Sequence, residues 1–495
     1  MKKFFAFITA ILLAVILSNV FLEWNDGSLT VKELSFETIK EQLQNKISNL
    51  TTPEKDVEED GKVIEPVIDT DPNLSYEERI KKGDYFLERG FFTFAANEYV
   101  KAANMNFNSI VPYERLLLAN FELGDYSKAK RNAEMILKLD PNHTETRFAL
   151  VKINIKQSSF EEAMNIIEQL KAMEIKDARI EYYRALLFLA NQNFDEAQKR
   201  LKQARVESAT EDINENIDKI LGAYNEFDFA KAAEELYLAN LISRSLNEIE
   251  EYEISIHILK NVLKDRSDLR DSWILLGFGY INLGKYYFGL TAFEQAYQLD
   301  PEWPTTQYFL GITHKELSNY NDAIVYFNYA LSNGFKPELV VYNHLADLYL
   351  SIEDYEAAVS TYKQLLELNR SDINSFVKPI WIYLDFLGNP EEALILANMA
   401  VTAFPENAMA FNLLGWSQVA SGNYTDAEIN LKKSLEIDPG IAAAHLNLGK
   451  LYEAQLKRKE AMSAYQEAYQ LDQNSSIGNL AAKRYNVLLI QENNE

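Results

Sequence analysis

From residue 76 onward the chain repeats itself every 34 residues, and this period constrains its fold more than any other feature. Counting from Trp273, Leu276 and Gly277 follow at +3 and +4, Tyr280 at +7, Gly289 at +16, Phe293 at +20, Ala296 at +23 and Pro301 at +28. From Phe411 the same offsets give Leu414, Gly415, Gln418, Ala427, Leu431, Ser434 and Pro439. From Tyr113 they give Leu116, Leu117, Asn120, Ala129, Ala133, Ile136 and Pro141. Each half-unit carries apolar residues at helical spacing, and the halves meet at turns such as Gly124-Asp125-Tyr126 and Gly422-Asn423-Tyr424. A unit of this kind is expected to be a helical hairpin. One hairpin cannot bury its apolar face alone, so hairpins must stack on one another.

Small residues make the stacking close. Gly277, Gly311, Ala346, Gly415 and Gly449 on first helices, and Ala296, Ala330, Ala400 and Ala468 on second helices, let neighbouring helices approach where a larger side chain would hold them apart. Taken with the offsets above, this pattern of W-x-x-L-G-x-x-Y, then A-x-x-x-F, then P resembles the tetratricopeptide repeat. The resemblance covers about four fifths of the chain, with units starting at Tyr76, Ile110, Thr144, Ala178, Leu236, Arg270, Pro304, Leu339, Asn374, Ala408 and Ala442. It implies an all-α fold, a right-handed superhelical solenoid of about eleven hairpins. Ile477 to Ile490, with Leu480, Ala481, Tyr485 and Leu488, reads as the C-terminal capping helix.

Two departures from the period stand out. The 24 residues 212–235 are too few for a hairpin and enough for one helix, with Ile213, Ile217, Ile220 and Tyr224 on a face, and regular stacking is expected to falter there. The unit starting at Thr144 has Lys171 to Lys176 where a final Pro would stand, and the next has Arg184 and Ala185 in place of Leu276 and Gly277. The expected layout is therefore an N-terminal lobe at 76–211, an irregular helical insertion at 212–235, a C-terminal array at 236–475 and a capping helix with its tail at 476–495.

Ahead of the repeats, Lys2 and Lys3 precede Phe4 to Leu22, an apolar run broken only by Thr9, Ser18 and Asn19. That length is enough to span a bilayer, and Ser18-Asn19-Val20-Phe21-Leu22-Glu23 offers no small-x-small cleavage site. Residues 1–22 are accordingly expected to be a transmembrane signal anchor, giving a single-pass protein with a cytoplasmic N-terminus and extracytoplasmic repeats. If the segment is a cleaved signal, the repeats are secreted or periplasmic. Residues 23–75 read as an acidic flexible linker, in which 35–50 could form a short amphipathic helix.

Several chemistries are argued against. The formal charge of -25, from 49 basic and 74 acidic residues, leaves no basic face with which to displace counterions from a nucleic acid. Cysteine is absent, which removes thiolate metal sites and thiol nucleophiles. Gly279 to Lys285 looks like most of a phosphate-binding G-x-x-x-x-G-K loop, but Tyr286 stands where Ser or Thr would reach magnesium, and no strand precedes it. The five histidines show no ligand spacing, with His445 in the place that Trp273 holds in its own unit. No cofactor, metal, nucleic acid or small-molecule substrate is expected, and no stretch outside the repeats is long enough for a catalytic domain.

Function must then come from surfaces. The resemblance implies that first helices of successive units line a concave groove that takes a protein or peptide partner. The matching positions are Ile274, Phe278, Ile281, Tyr308, Ile312, Asn343, Asp347, Asn412 and Trp416, an apolar and aromatic lining with two asparagines to pair with a peptide backbone. The set of Lys, Asn and Arg with which related repeats clamp a C-terminal carboxylate is not present on three consecutive units, although Lys152 and Arg179 on adjacent units could meet an acidic partner. The expected function is a non-enzymatic scaffold or adaptor at a membrane. The alternative is an accessory repeat domain of a glycan-handling or enzyme complex in the cell envelope.

Overall fold

The computed structural model describes residues 22–25, 28–31, 74–207, 210–229, 235–473 and 475–493. It divides into two compact units, 1–299 and 300–495, rather than at the 212–235 insertion, and each is considered by itself.

In the first unit, Leu22–Asn25 (β1) and Ser28–Val31 (β2) pair antiparallel, with Leu22 opposite Val31 and Asn25 opposite Ser28. The intervening Asp26-Gly27 is a pair strongly favoured in two-residue hairpin loops, so this part of the expected linker is a strand pair. The expected single-pass membrane location is overturned. Among the described residues no helix is long and apolar enough to cross a membrane. Leu22, the last residue of the apolar run, opens β1 instead of ending a helix. Residues 1–21 of the expected anchor and the amphipathic stretch at 35–50 lie outside the described residues.

The repeats of this unit are the hairpins Tyr76–Glu88 and Phe92–Met105 (α1, α2), Val111–Glu122 and Tyr126–Leu139 (α3, α4), Thr144–Lys156 and Phe160–Ala172 (α5, α6), and Ala178–Ala190 and Phe194–Val206 (α7, α8). A single helix follows, Glu211–Phe229 (α9), then Glu235–Glu248 and Tyr252–Asp265 (α10, α11) and Arg270–Asn282 and Tyr286–Leu299 (α12, α13). The second unit holds Pro304–Glu316 and Tyr320–Ser332 (α14, α15), Glu338–Ser351 and Tyr355–Leu368 (α16, α17), Asn374–Asp385 and Pro390–Ala403 (α18, α19), Ala408–Ala420 and Tyr424–Ile437 (α20, α21), Ala442–Ala454 and Arg458–Leu471 (α22, α23), and the capping helix Ser476–Asn493 (α24). Every first helix starts within a residue of the position that the 34-residue register assigns.

Local chemistry explains the hairpins. Ser75 caps α1 in a capping box with Glu78. Several of the turns place an Asp or Asn at the N-cap of the second helix. Asp125 accepts from the Lys128 amide, Asn193 from Glu196, Asp354 from Ala357 and Asn389 from Glu392. The residue just before the cap is left-handed, with φ of 74° at Gly124 and 77° at Gly422. In five of the hairpins a first-helix glycine meets a large side chain of the second helix. A Cβ at Gly277 would lie 2.6 Å from Phe293, at Gly311 2.7 Å from Phe327, at Gly415 2.5 Å from Leu431, and at Gly449 2.4 Å from Tyr465. Gly83 does the same against Tyr99, at 2.4 Å. The lone Gly284 of the supposed phosphate loop is the left-handed turn residue between α12 and α13, and Gly279 sits inside α12 against Ile256.

At α9 a single helix stands between two hairpins. Ile217, Ile220 and Tyr224 are buried, and the Tyr224 hydroxyl donates to the Phe194 carbonyl at 2.8 Å. The consequence goes beyond nearest-neighbour contact, because α11 also packs on α7 and α5. Lys156 Nζ, at the end of α5, donates to the Glu250 carbonyl at 3.1 Å and to Glu253 Oε2 at 3.0 Å, and lies 3.7 Å from Glu251 Oε2. Phe160 of α6 meets the His257 ring edge-on at 5.1 Å. One continuous core therefore joins α5 to α11.

Candidate partner-binding surface

The nine first-helix positions do not form a single exposed lining. Ile274, Phe278 and Ile281 on α12 are all buried, Phe278 completely, with the Tyr252 ring 6.3 Å away. Tyr308 on α14 is 1% exposed and stacks on Phe335 at 4.4 Å between Phe309 and Phe327. Asn412 on α20 is 2% exposed, and its Oδ1 accepts from Asn447 Nδ2 at 2.9 Å, so its amide serves the neighbouring first helix. These five side chains are packing residues, which corrects the expectation that they face a partner. The physical reason is that a first helix touches its own second helix and the adjacent hairpins, and those contacts consume most of its apolar stripe.

Four positions keep access to solvent, all in the second unit. Asn343 and Asp347 on α16 are exposed, while Ile312 on α14 and Trp416 on α20 are half-buried. Two lysines on neighbouring first helices join them. Lys378 of α18 pairs with Asp347 at 3.0 Å and lies 5.7 Å from the Tyr362 ring centre. Burial opposes its charge, but the hydrogen bond to Asp347, with the neighbouring Tyr362 adding to it, outweighs that effect and holds its pKa above the ordinary value. Lys450 of α22 places Nζ 5.2 Å from the centre of the Trp416 ring. Burial lowers its pKa, with Asp385 acting against that shift and Arg484 adding to it. Sequence reasoning passed over both lysines. For Lys450 a signal was present, because it stands eight residues into its unit, as Asp347 and Trp416 do in theirs.

Of the two cations on adjacent hairpins of the first unit, Lys152 is exposed and Arg179 is not. Arg179 is held by Glu145 at 2.6 Å and Asp177 at 2.7 Å and covers the Phe148 ring, so it is committed within the fold rather than poised for an acidic partner. His344 is half-buried and stacked on Phe327 at 5.2 Å, and desolvation, with the charge of Lys315 adding to it, pushes its pKa down to about 3. Among the described residues no three His, Cys, Asp or Glu side chains gather as a metal site.

Eleven helical hairpins among the described residues, with a contact from a first-helix glycine to a large second-helix side chain recurring in five of them, define a helical-hairpin repeat protein. Family models of the tetratricopeptide repeat match residues 120–187, 339–372, 382–440 and 412–476. The chain is a tetratricopeptide repeat protein. It is similar to a TPR repeat-containing protein of Methanocaldococcus jannaschii, 21% identical over 437 residues, which are 79% of this chain and 75% of that one. Shorter likenesses are to a protein O-mannosyl-transferase of Caenorhabditis elegans, 28% identical over 114 residues, and to the Hsp70-Hsp90 organising protein of Plasmodium falciparum, 29% identical over 117 residues. The match covers 23% of this chain and 16% of the worm protein, and 22% and 21% for the parasite protein. Among solved structures, yeast Tom70 is 14% identical, with 84% of this chain and 96% of that chain covered and a TM-score of 0.29.

Proposed function

We propose that this protein is a non-enzymatic scaffold that holds a protein or peptide partner on the first-helix surface of its second unit, around Asn343, Asp347, Lys378, Trp416 and Lys450. Repeat folds of this family act through their surfaces. The observation that carries the reading is the pairing of Trp416, half-buried, with Lys450, which makes no ion pair among the described residues. A large aromatic with one face still open, beside an ammonium held out of bulk water, has the character of a binding hot spot. The exposed Asn343 supplies an amide for a peptide backbone. Affinity capture with the full chain, repeated with Trp416→Ala and with Lys450→Glu, tests this. The same partner should be lost in both variants while the thermal melt is little changed. Retention of every partner by both variants would place binding on another surface.

A second reading has one observation in its favour. The likeness to a protein O-mannosyl-transferase supports an accessory repeat domain in a glycan-handling assembly. Capture of a glycosyltransferase as the principal partner would favour it over a general adaptor.

A further inference from the structure

A second surface lies in the first unit, far in sequence from the helices just described. The second helix of the first hairpin, α2, and both helices of the next hairpin, α3 and α4, enclose an open cleft of about 380 Å³. This is within the size range of sites that hold a side chain or small ligand. Its floor is apolar, from Val100, Leu116 and Leu123, and both Val100 (46%) and Leu123 (45%) remain exposed. Its rim is cationic, from Lys128 and Arg131, and no carboxylate lines it. That is unusual in a chain with 74 acidic and 49 basic residues. Lys128 is partly answered by Asp125 at 2.7 Å, whereas Arg131 makes no ion pair or hydrogen bond among the described residues.

Amide groups stand between floor and rim. Asn120 Nδ2 donates to the Leu116 carbonyl at 2.7 Å and Asn132 Nδ2 to the Lys128 carbonyl at 2.9 Å, which leaves the Oδ1 atom of each to accept from a ligand. Asn97 is exposed and makes no hydrogen bond among the described residues, so it offers both a donor and an acceptor. Leu123 also lines a second hollow of about 380 Å³, together with Gly124, Asp125, Tyr126, Ser127 and Gln157. The two hollows share Leu123 as a wall, an arrangement that suits an elongated ligand lying along a track better than a compact one.

We infer that this track is a docking site for an extended acidic peptide, one apolar side chain of which lies over Val100, Leu116 and Leu123 while a flanking carboxylate meets Arg131. Charge complementarity selects the occupant. Lys128 and Arg131 line the cleft with no carboxylate among its lining residues. Asp125 beside it pairs with Lys128 and is also within the field of Arg131, which forms no ion pair of its own among the described residues. Arg is the side chain best matched to a carboxylate through its planar fork. The asparagine amides match the backbone groups of an extended chain, and the apolar floor selects one aliphatic residue among the acidic ones. Because this surface shares no residue with the one around Trp416, the two readings stand or fall separately.

The test uses the full chain and a fluorescein-labelled acetylated peptide of sequence Glu-Asp-Leu-Asp-Glu, followed by fluorescence anisotropy at about 0.1 M salt, where the screening length is about 10 Å. Saturable binding is expected. It should weaken about tenfold or more with Arg131→Glu, the range in which loss of one charge contact acts. Lys264→Glu, the same charge reversal at an exposed lysine outside the track, should leave it unchanged, as should Trp416→Ala. The peptide Gln-Asn-Leu-Asn-Gln should bind weakly, and replacing its acidic parent's Leu by Ser should also weaken binding. Absence of saturable binding, equal affinity for the acidic and amide peptides, or equal effects of Arg131→Glu and Lys264→Glu would each overturn the proposal.

Discussion

Gly449→Ala adds one methyl group at the tightest contact inside the last hairpin. The new Cβ would stand 2.4 Å from Tyr465 Cε1, 2.5 Å from Cδ1 and 2.9 Å from Cζ, so it meets the ring broadside and about 1 Å of displacement is needed to restore ordinary contact. The ring has nowhere to retreat. Tyr465 is fully buried, and its hydroxyl donates to Glu453 Oε2 at 2.7 Å, while Arg484 of α24 grips the same carboxylate. Overpacking of this kind costs about 1 to 3 kcal/mol, and exchanging Gly for Ala within a helix returns about 1 kcal/mol. With the ring pinned, the upper part of the first range applies and the net loss is about 1 to 2 kcal/mol. Gly222 is the matched control, because it lies in α9 and a Cβ there meets nothing within 4 Å. Gly222→Ala should therefore stabilise by about 1 kcal/mol. A repeat array need not unfold in one step, so urea titration is best paired with native-state hydrogen exchange. Protection should fall in α22, α23 and α24 and hold in α1 to α4. If Gly449→Ala proves as stable as the parent while Gly222→Ala behaves as stated, the close-packing argument for the first-helix glycines is refuted.

Two further perturbations address charge. Lys156→Met strips the partly buried cation from between Glu251 and Glu253 and should cost about 3 kcal/mol, the low end of what breaking a buried pair from one side does. Because burial already raises the Glu251 pKa, most strongly against its ionised form, the deficit should shrink as pH falls and that carboxyl takes up a proton; a pH-independent deficit in urea midpoint would contradict this. His344→Phe keeps the stack on Phe327 but removes a base that titrates near 3 when folded and near 6.5 when unfolded. A depressed folded pKa means that stability is full above about pH 6.5 and is lost as pH falls toward about 3. The parent should therefore lose about 2 kcal/mol relative to the variant by pH 5, and parallel stability curves between pH 7 and pH 5 would show that His344 is not held neutral.

The register of the hairpins was legible in the sequence because a period repeated eleven times averages out the irregularities of any one unit. The glycines could be placed for the same reason, since a residue that recurs at a fixed offset from an aromatic must serve the same contact each time. The lone helix α9 was visible as an interruption with its own apolar face. The local devices, from the Ser75 capping box to the Asp and Asn caps at the turns, are short-range chemistry and need no tertiary knowledge.

Burial along the first helices is another matter. An apolar stripe at helical spacing is the same pattern whether it packs on a neighbouring helix or lines an open groove, so Phe278 and Trp416, each eight residues into its unit, could not be told apart; tertiary packing buries the first completely and leaves the second half-open. The return of α11 onto α5 and α7 was equally hidden, because Lys156 and Glu253 are 97 residues apart. A contact at that separation has no local signature; it forms where α11 packs back on α5 and α7 and brings two carboxylates, Glu251 and Glu253, within reach of one ammonium. Periodicity determines which surfaces must be covered. Only the path of the chain in space decides what covers them, since the free energy of burial depends on area removed from water and not on which segment removes it.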